Sequence, residues 1–134
     1  MKSFIRTVLS VVFAAMLIVT SGLGLAQKNK SERVAVAAND KTIAASVGSQ
    51  AGRSPYFLFF DKQGAFVEAV DNPYKNGGNA GIPALEFLAG KGVTILVAEG
   101  FGPKIVEVMK SKGMRPVEFK GNAKDAAKKA LEPK

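Results

Sequence analysis

The chain has no cysteine, no histidine and no tryptophan in 134 residues. Without cysteine there are no disulfides and no thiolate ligands, so an oxidising compartment poses no chemical problem. Without histidine, Ser-His-Asp and Cys-His catalysis, zinc sites built on imidazole or thiolate, and haem held by either are all closed to the chain acting alone. Runs of one charge are missing too. The formal net charge is +8 at pH 7, but the lysines are spread along the sequence with acids among them. Such a surface favours solubility and attracts anions. No basic stripe interleaves with aromatics, which argues against nucleic acid as a partner.

Long apolar runs are confined to the beginning. Lys2 and Arg6 precede an almost wholly apolar stretch at residues 8–19 (VLSVVFAAMLIV), and small residues including Gly24 and Ala26 follow before the next charge, Lys28. A charged start, a short apolar centre and small residues at the end are the marks of a secretory signal, here cut after Ala26. As a helix, residues 8–19 would span only ~18 Å against a hydrocarbon core of ~30 Å. The wider uncharged span 7–27 could just cross a bilayer, which leaves a retained anchor as the alternative. No cysteine follows, so a lipoprotein is excluded. The expectation is an exported, periplasmic protein with a signal peptide at 1–26 and one domain at 27–134. That length suffices for an independent core without staples.

Residues 27–32 are polar and lead into a short apolar run at 33–38 (RVAVAA), the expected first strand. Residues 41–47 form either a weaker strand or the arm of a loop. The runs 56–61 (YFLFFD) and 65–71 (AFVEAVD) flank Lys62-Gln63-Gly64 and predict a β-hairpin. Pro83 suits a helix start, with Ile82, Leu85 and Leu88 on one face up to Gly90. Residues 93–98 (VTILVA) read as a strand covered on both faces. Pro103 opens a second helix with Ile105, Val108 and Met109 inward, ending near Gly113. Residues 115–119 form a short strand, which Pro116 either puts at an edge or only begins. Asn122 and Asp125 start a last helix lined by Ala126, Ala127, Ala130 and Leu131. The later alternation of strands and helices requires parallel strands with right-handed crossovers, and the hairpin adds antiparallel ones. The fold class is α/β, a three-layer α/β/α sandwich with a mixed sheet of about five strands.

Three glycine-bearing loops, at 48–55, 72–81 and 100–104, lack apolar bulk, and two of them run into helix starts. There, free amides and the positive end of the helix dipole favour an anion. Arg53, Lys75 and Lys104 supply cations. Bare turn chemistry explains such loops equally well. Gly100-x-Gly102 is neither a dinucleotide fingerprint nor a P-loop, because Ile105 stands where the third glycine belongs and the spacing to Lys104 is wrong. Asp40, Asp61, Asp71 and Glu99 fall at strand ends, where acids are ordinary turn-formers.

Several stretches occur together in order: Arg33-Val-Ala-Val-Ala-Ala-Asn-Asp40, Gly52-Arg-Ser-Pro-Tyr-Phe-Leu-Phe-Phe-Asp61, Asn72-Pro, Gly77-Gly78, Gly81-Ile82 and Gly100-Phe-Gly-Pro-Lys104. Across residues 33–131 the chain resembles the dinitrogenase iron–molybdenum cofactor biosynthesis family. The resemblance implies a ribonuclease-H-like layered fold with a mixed five-stranded sheet. It also implies a non-enzymatic role, holding an anionic metal–sulfur cluster or cofactor precursor. Many members carry His-Phe-Gly before the arginine, whereas this chain has Gln50-Ala51-Gly52. The position of the pocket carries over as Ser49, Gln50, Gly52 and Arg53, then Asn76, Gly77, Gly78 and Asn79, then Gly100, Gly102 and Lys104. The preferred expectation is a periplasmic binding or carrier protein for a small anion, with the cluster held non-covalently and no side-chain metal ligand. The alternative is a protein–protein interaction module whose loops dock on a partner and bind no small molecule. An enzyme acting on phosphate esters has only analogy of fold behind it.

Overall fold

Strand β1 (Val34–Ala38) is buried along its whole length, which suits its sequence of alternating valine and alanine. In the computed structural model, which describes residues 32–77 and 80–133, β1 is the centre of a five-stranded sheet of order β3-β2-β1-β4-β5. The hairpin β2 (Tyr56–Phe60) and β3 (Phe66–Asp71) lies on one side, antiparallel to β1 and within itself. On the other side β4 (Ile95–Ala98) and β5 (Arg115–Glu118) run parallel to β1. The mixed sheet, the hairpin and the edge position of the Pro116 strand match the sequence-based expectation. Residues 41–47 are the arm of a loop, tied down by isolated bridges from Val47 to Ala38 and from Ser46 to Asn122. The leader at 1–26, residues 27–31, Gly78 and Asn79 lie outside the described residues.

Three helices complete the layers. Helices α1 (Gly81–Gly90) and α2 (Pro103–Ser111) cover one face, where Ala35, Ala37, Phe57, Phe59 and Leu96 meet Leu85, Leu88 and Met109. Helix α3 (Ala123–Leu131) covers the other, its alanines packing on Val34, Val36, Leu58 and Val97. Alternation along each strand sends successive side chains to opposite layers, so both layers draw on every inner strand. Both α1 and α2 stop at a glycine of positive φ, Gly92 (81°) and Gly113 (74°). The next amides, Val93 and Met114, reach back to the carbonyls of Leu88 and Met109. This satisfies carbonyls left open at a helix end and turns each chain directly into its next strand.

Helix α3 begins on a side-chain cap. The Asn122 Oδ1 accepts a hydrogen bond from the Asp125 amide at 2.8 Å. Loop carbonyls take the two preceding amides, Ala123 to Ala45 at 2.8 Å and Lys124 to Ile43 at 3.0 Å. Asn122→Ala should lower stability by about 1 kcal/mol, the usual worth of a cap, read as a shift in denaturation midpoint at unchanged slope.

Candidate functional site

The site is formed where the carboxyl ends of β1 and β4 part. Beyond the parallel register the chain doubles back, and residues 47–50 fill the slot between the two strands. The Gly48 amide donates to the Ala37 carbonyl at 2.7 Å, and the Glu99 amide donates to the Gly48 carbonyl at 2.9 Å. Gln50 then pairs with Gly100 in parallel fashion. The chain leaves β1 toward β2 on one side, while β4 flanks it on the other. Ligands in open α/β sheets sit at such a switch point, outside the strands' carboxyl ends.

Residues 50–54 form a tight turn. The Gln50 carbonyl accepts from the Arg53 amide at 3.3 Å and from the Ser54 hydroxyl at 2.8 Å. Asn72, only 1% exposed, holds this turn from outside. Its Nδ2 donates to the carbonyls of Gly52 at 2.8 Å and Ser54 at 3.0 Å, and its Oδ1 accepts from the Tyr74 amide at 3.0 Å. The turn thus lies close against the start of α1. A Cβ at Gly52 would come within 2.6 Å of the Gly81 Cα, so backbone meets backbone and only glycine fits.

Between this turn and the starts of α1 and α2 lies a groove of about 470 Å³. Of the residues expected at a site, Ser49, Gln50, Gly52, Arg53, Gly100 and Gly102 line it. Asn76 and Gly77 are exposed on the neighbouring turn and do not line it; Gly78 and Asn79 lie outside the described residues. Lys104 is exposed in the first turn of α2 and also stands outside the lining. The structure adds Ala51, Ala80, Gly81, Phe101 and Ile105. Small apolar residues carry no chemical signal in a sequence, and Ile105 reads there only as core.

Two helix starts face the groove, and neither has a side-chain cap or an acid in its first turn. This contrasts with α3, whose start is closed by Asn122 and loop carbonyls. Open first-turn amides and the positive end of the dipole are worth most to an anion. The lining supplies a hydroxyl, a carboxamide, a guanidinium and amides, all suited to hydrogen-bonding an anion, and no imidazole or thiolate for a metal. Among the described residues no three acids stand close enough together to hold a cation.

A mixed five-stranded sheet with two helices on one face and one on the other, and a groove at the strand ends, define an α/β/α sandwich. The chain belongs to the dinitrogenase iron–molybdenum cofactor family, whose model matches residues 32–132. Its fold is similar to that of the apo orange protein of Desulfovibrio gigas, at 26% identity and a TM-score of 0.69, over 75% of this chain and 87% of that one. It is also similar to a Thermotoga protein with a provisional NifB assignment, at 28% identity and a TM-score of 0.62, over 72% of this chain and 84% of that one. A Methanocaldococcus jannaschii protein at 10% identity and a TM-score of 0.52 shares the fold, covering 77% of this chain and 88% of that one. No curated protein matches the sequence.

Proposed function

We propose that this chain is an exported, non-enzymatic carrier of a small anionic ligand, a metal–sulfur cluster or molybdenum-containing cofactor precursor. The observation that carries the reading is the pair of uncapped helix starts facing one groove beside Arg53. Family membership and the likeness to the apo orange protein support a cluster or cofactor as cargo. The ligand is held by backbone amides, Ser49, Gln50 and Arg53 through hydrogen bonds, because the groove offers no side chain that would bond a metal directly. A hydrogen bond involving a charged partner contributes roughly 1.5–3 kcal/mol.

Titration with tetrathiomolybdate, followed by calorimetry, tests the reading. The wild type should saturate, and Arg53→Ala should weaken binding at least about tenfold, equivalent to ~1.4 kcal/mol. Lys104→Ala should cost less, since that side chain stands outside the lining. Added salt should weaken binding moderately. A flat wild-type titration would reject the carrier and favour loops that dock on a partner protein. Export rests on the leader at residues 1–26. Mass spectrometry of the secreted chain should find a new N-terminus at or near Gln27; an intact leader in the membrane fraction would reject cleavage.

A further inference from the structure

The end of the domain opposite the groove carries a concentration of lysine that the carrier reading does not use. One row of the sheet register marks this end: Phe66, Phe60, Val34, Ile95 and Arg115 lie side by side across all five strands. The hairpin turn brings Lys62 there. The C-terminal ends of the helices bring Lys91 after α1, Lys110 and Lys112 at the end of α2, and Lys128 and Lys129 in the last turn of α3. The acids at this end are fewer than the lysines, and each has a partner: the Thr94 hydroxyl donates to Glu32 at 3.3 Å, and Arg33 pairs with Glu68 at 3.8 Å. Asp61 accepts from the amides of Gln63 and Ala65, both at 2.9 Å, and Glu132 pairs with Lys129 at 3.5 Å. Complementing the helix dipoles explains some of these lysines, but not Lys62, which sits on no helix.

Two further observations fall on the same end. Phe66 and Val67, at the start of β3, are 45% and 47% exposed. The described chain also enters the fold at this end, where Glu32 and Arg33 lead into β1. Lysines spread over separate elements, beside an exposed aromatic and an exposed valine, suit a broad anionic surface with an apolar layer beneath its charges. The cleft at this end, lined by Lys62, Gly64, Lys128 and Leu131, takes in only two of these lysines; Lys91, Lys110 and Lys112 lie outside it, so a small ligand in the cleft would not account for them.

We infer that this end of the domain is a docking surface for an anionic phospholipid leaflet, with the groove facing away from the bilayer. Lysines strengthen adsorption to such a leaflet only when close to it, and the field falls off over ~8 Å at physiological salt. Strands of this length span ~15 Å, so lysines at the groove end contribute little. This inference is independent of what the groove binds.

The test measures co-sedimentation of the protein, as recovered from expressing cells, with vesicles of phosphatidylcholine alone or mixed with phosphatidylglycerol. One variant neutralises this end (Lys62→Gln, Lys91→Gln, Lys110→Gln, Lys128→Gln). A second neutralises as many lysines toward the groove end (Lys41→Gln, Lys75→Gln, Lys104→Gln, Lys120→Gln). Thermal melts check that both are folded. The wild type should prefer anionic vesicles at least tenfold, and the first variant should lose at least tenfold in binding. The second should lose under threefold. Equal losses would reduce the effect to net charge and overturn the inference. So would indifference to phosphatidylglycerol, or binding to single-stranded DNA that displaces the vesicles and is weakened in the same way by both variants.

Discussion

Asn72→Ala should lower the unfolding free energy by about 2–4 kcal/mol and abolish ordered ligand contact at the groove. The side chain is buried and makes three hydrogen bonds, two as donor to Gly52 and Ser54 and one as acceptor from Tyr74. Truncation leaves two carbonyls and an amide without this partner, and each buried group so stranded costs roughly 1–3 kcal/mol unless water reaches it. The loop it holds carries Gln50, Gly52 and Arg53, so the stability loss and the binding loss should appear together. Asn72→Asp sharpens the test. An ionised carboxylate can donate to neither carbonyl, whereas a protonated one, with its single O–H, can donate to one of them. The folded state therefore raises that carboxyl's pKa. The Asp variant's deficit should be smallest below about pH 4, the ordinary carboxyl range, and should grow as pH rises through it. Urea denaturation at several pH values reads this directly. A pH-independent loss equal to that of Asn72→Ala would mean that the donor role is unimportant.

Gly102→Asp should act in opposite directions on stability and binding. Gly102 is the N-cap of α2, at φ −71° and ψ 153°, a conformation open to any residue. A Cβ there meets nothing within 4 Å. An aspartate should cap the helix and raise stability by a few tenths of a kcal/mol over glycine. It would also occupy the open amides and place a negative charge at the groove. Affinity for tetrathiomolybdate should then fall at least about tenfold, or ~1.4 kcal/mol. Gly102→Asn caps without the charge and separates the two effects. A smaller loss for Asn than for Asp assigns the difference to repulsion. Unchanged affinity in Gly102→Asp would show that no anion sits at the start of α2.

The periodic parts of the fold were legible before any coordinates. Strand β1 shows as a buried first strand through a short valine–alanine run, and the hairpin through two apolar stretches about a glycine turn. Pro103 and Asn122 mark helix starts, Gly90 and Gly113 mark helix ends, and of those two glycines only Gly113 has positive φ, the first helix being closed by Gly92 instead. Each of these signals is local, set by a residue's own backbone preference or by its neighbours along the chain. Residues 41–47 were ambiguous for the same reason. Their conformation is decided by isolated bridges to Ala38 and Asn122, which no local pattern encodes.

The groove was legible only in outline. Glycine loops and a nearby arginine indicated which segments to consider, and Ser49 through Arg53, Gly100 and Gly102 do come together. The same reasoning added Lys104, Asn76 and Gly77, which stand outside the lining, because composition does not say which way a helix or turn points its side chains. It gave no role to Asn72, whose worth lies in carbonyls 18 and 20 residues away in the chain, or to Gly81, where an added Cβ would collide with the Ile105 side chain.

By itself, then, the sequence determined the layered α/β class, the hairpin, the helix limits, and the exclusion of imidazole and thiolate chemistry, since each depends on residue identity or on short-range periodicity. Only the tertiary structure decided that residues 47–50 wedge between β1 and β4, that two helix starts stay uncapped at one groove while the third is closed, and that lysines distant in sequence share the opposite end. Those outcomes depend on strand order and on contacts between segments remote in the chain, where the energy of a hydrogen bond or an ion is set by what the fold brings beside it.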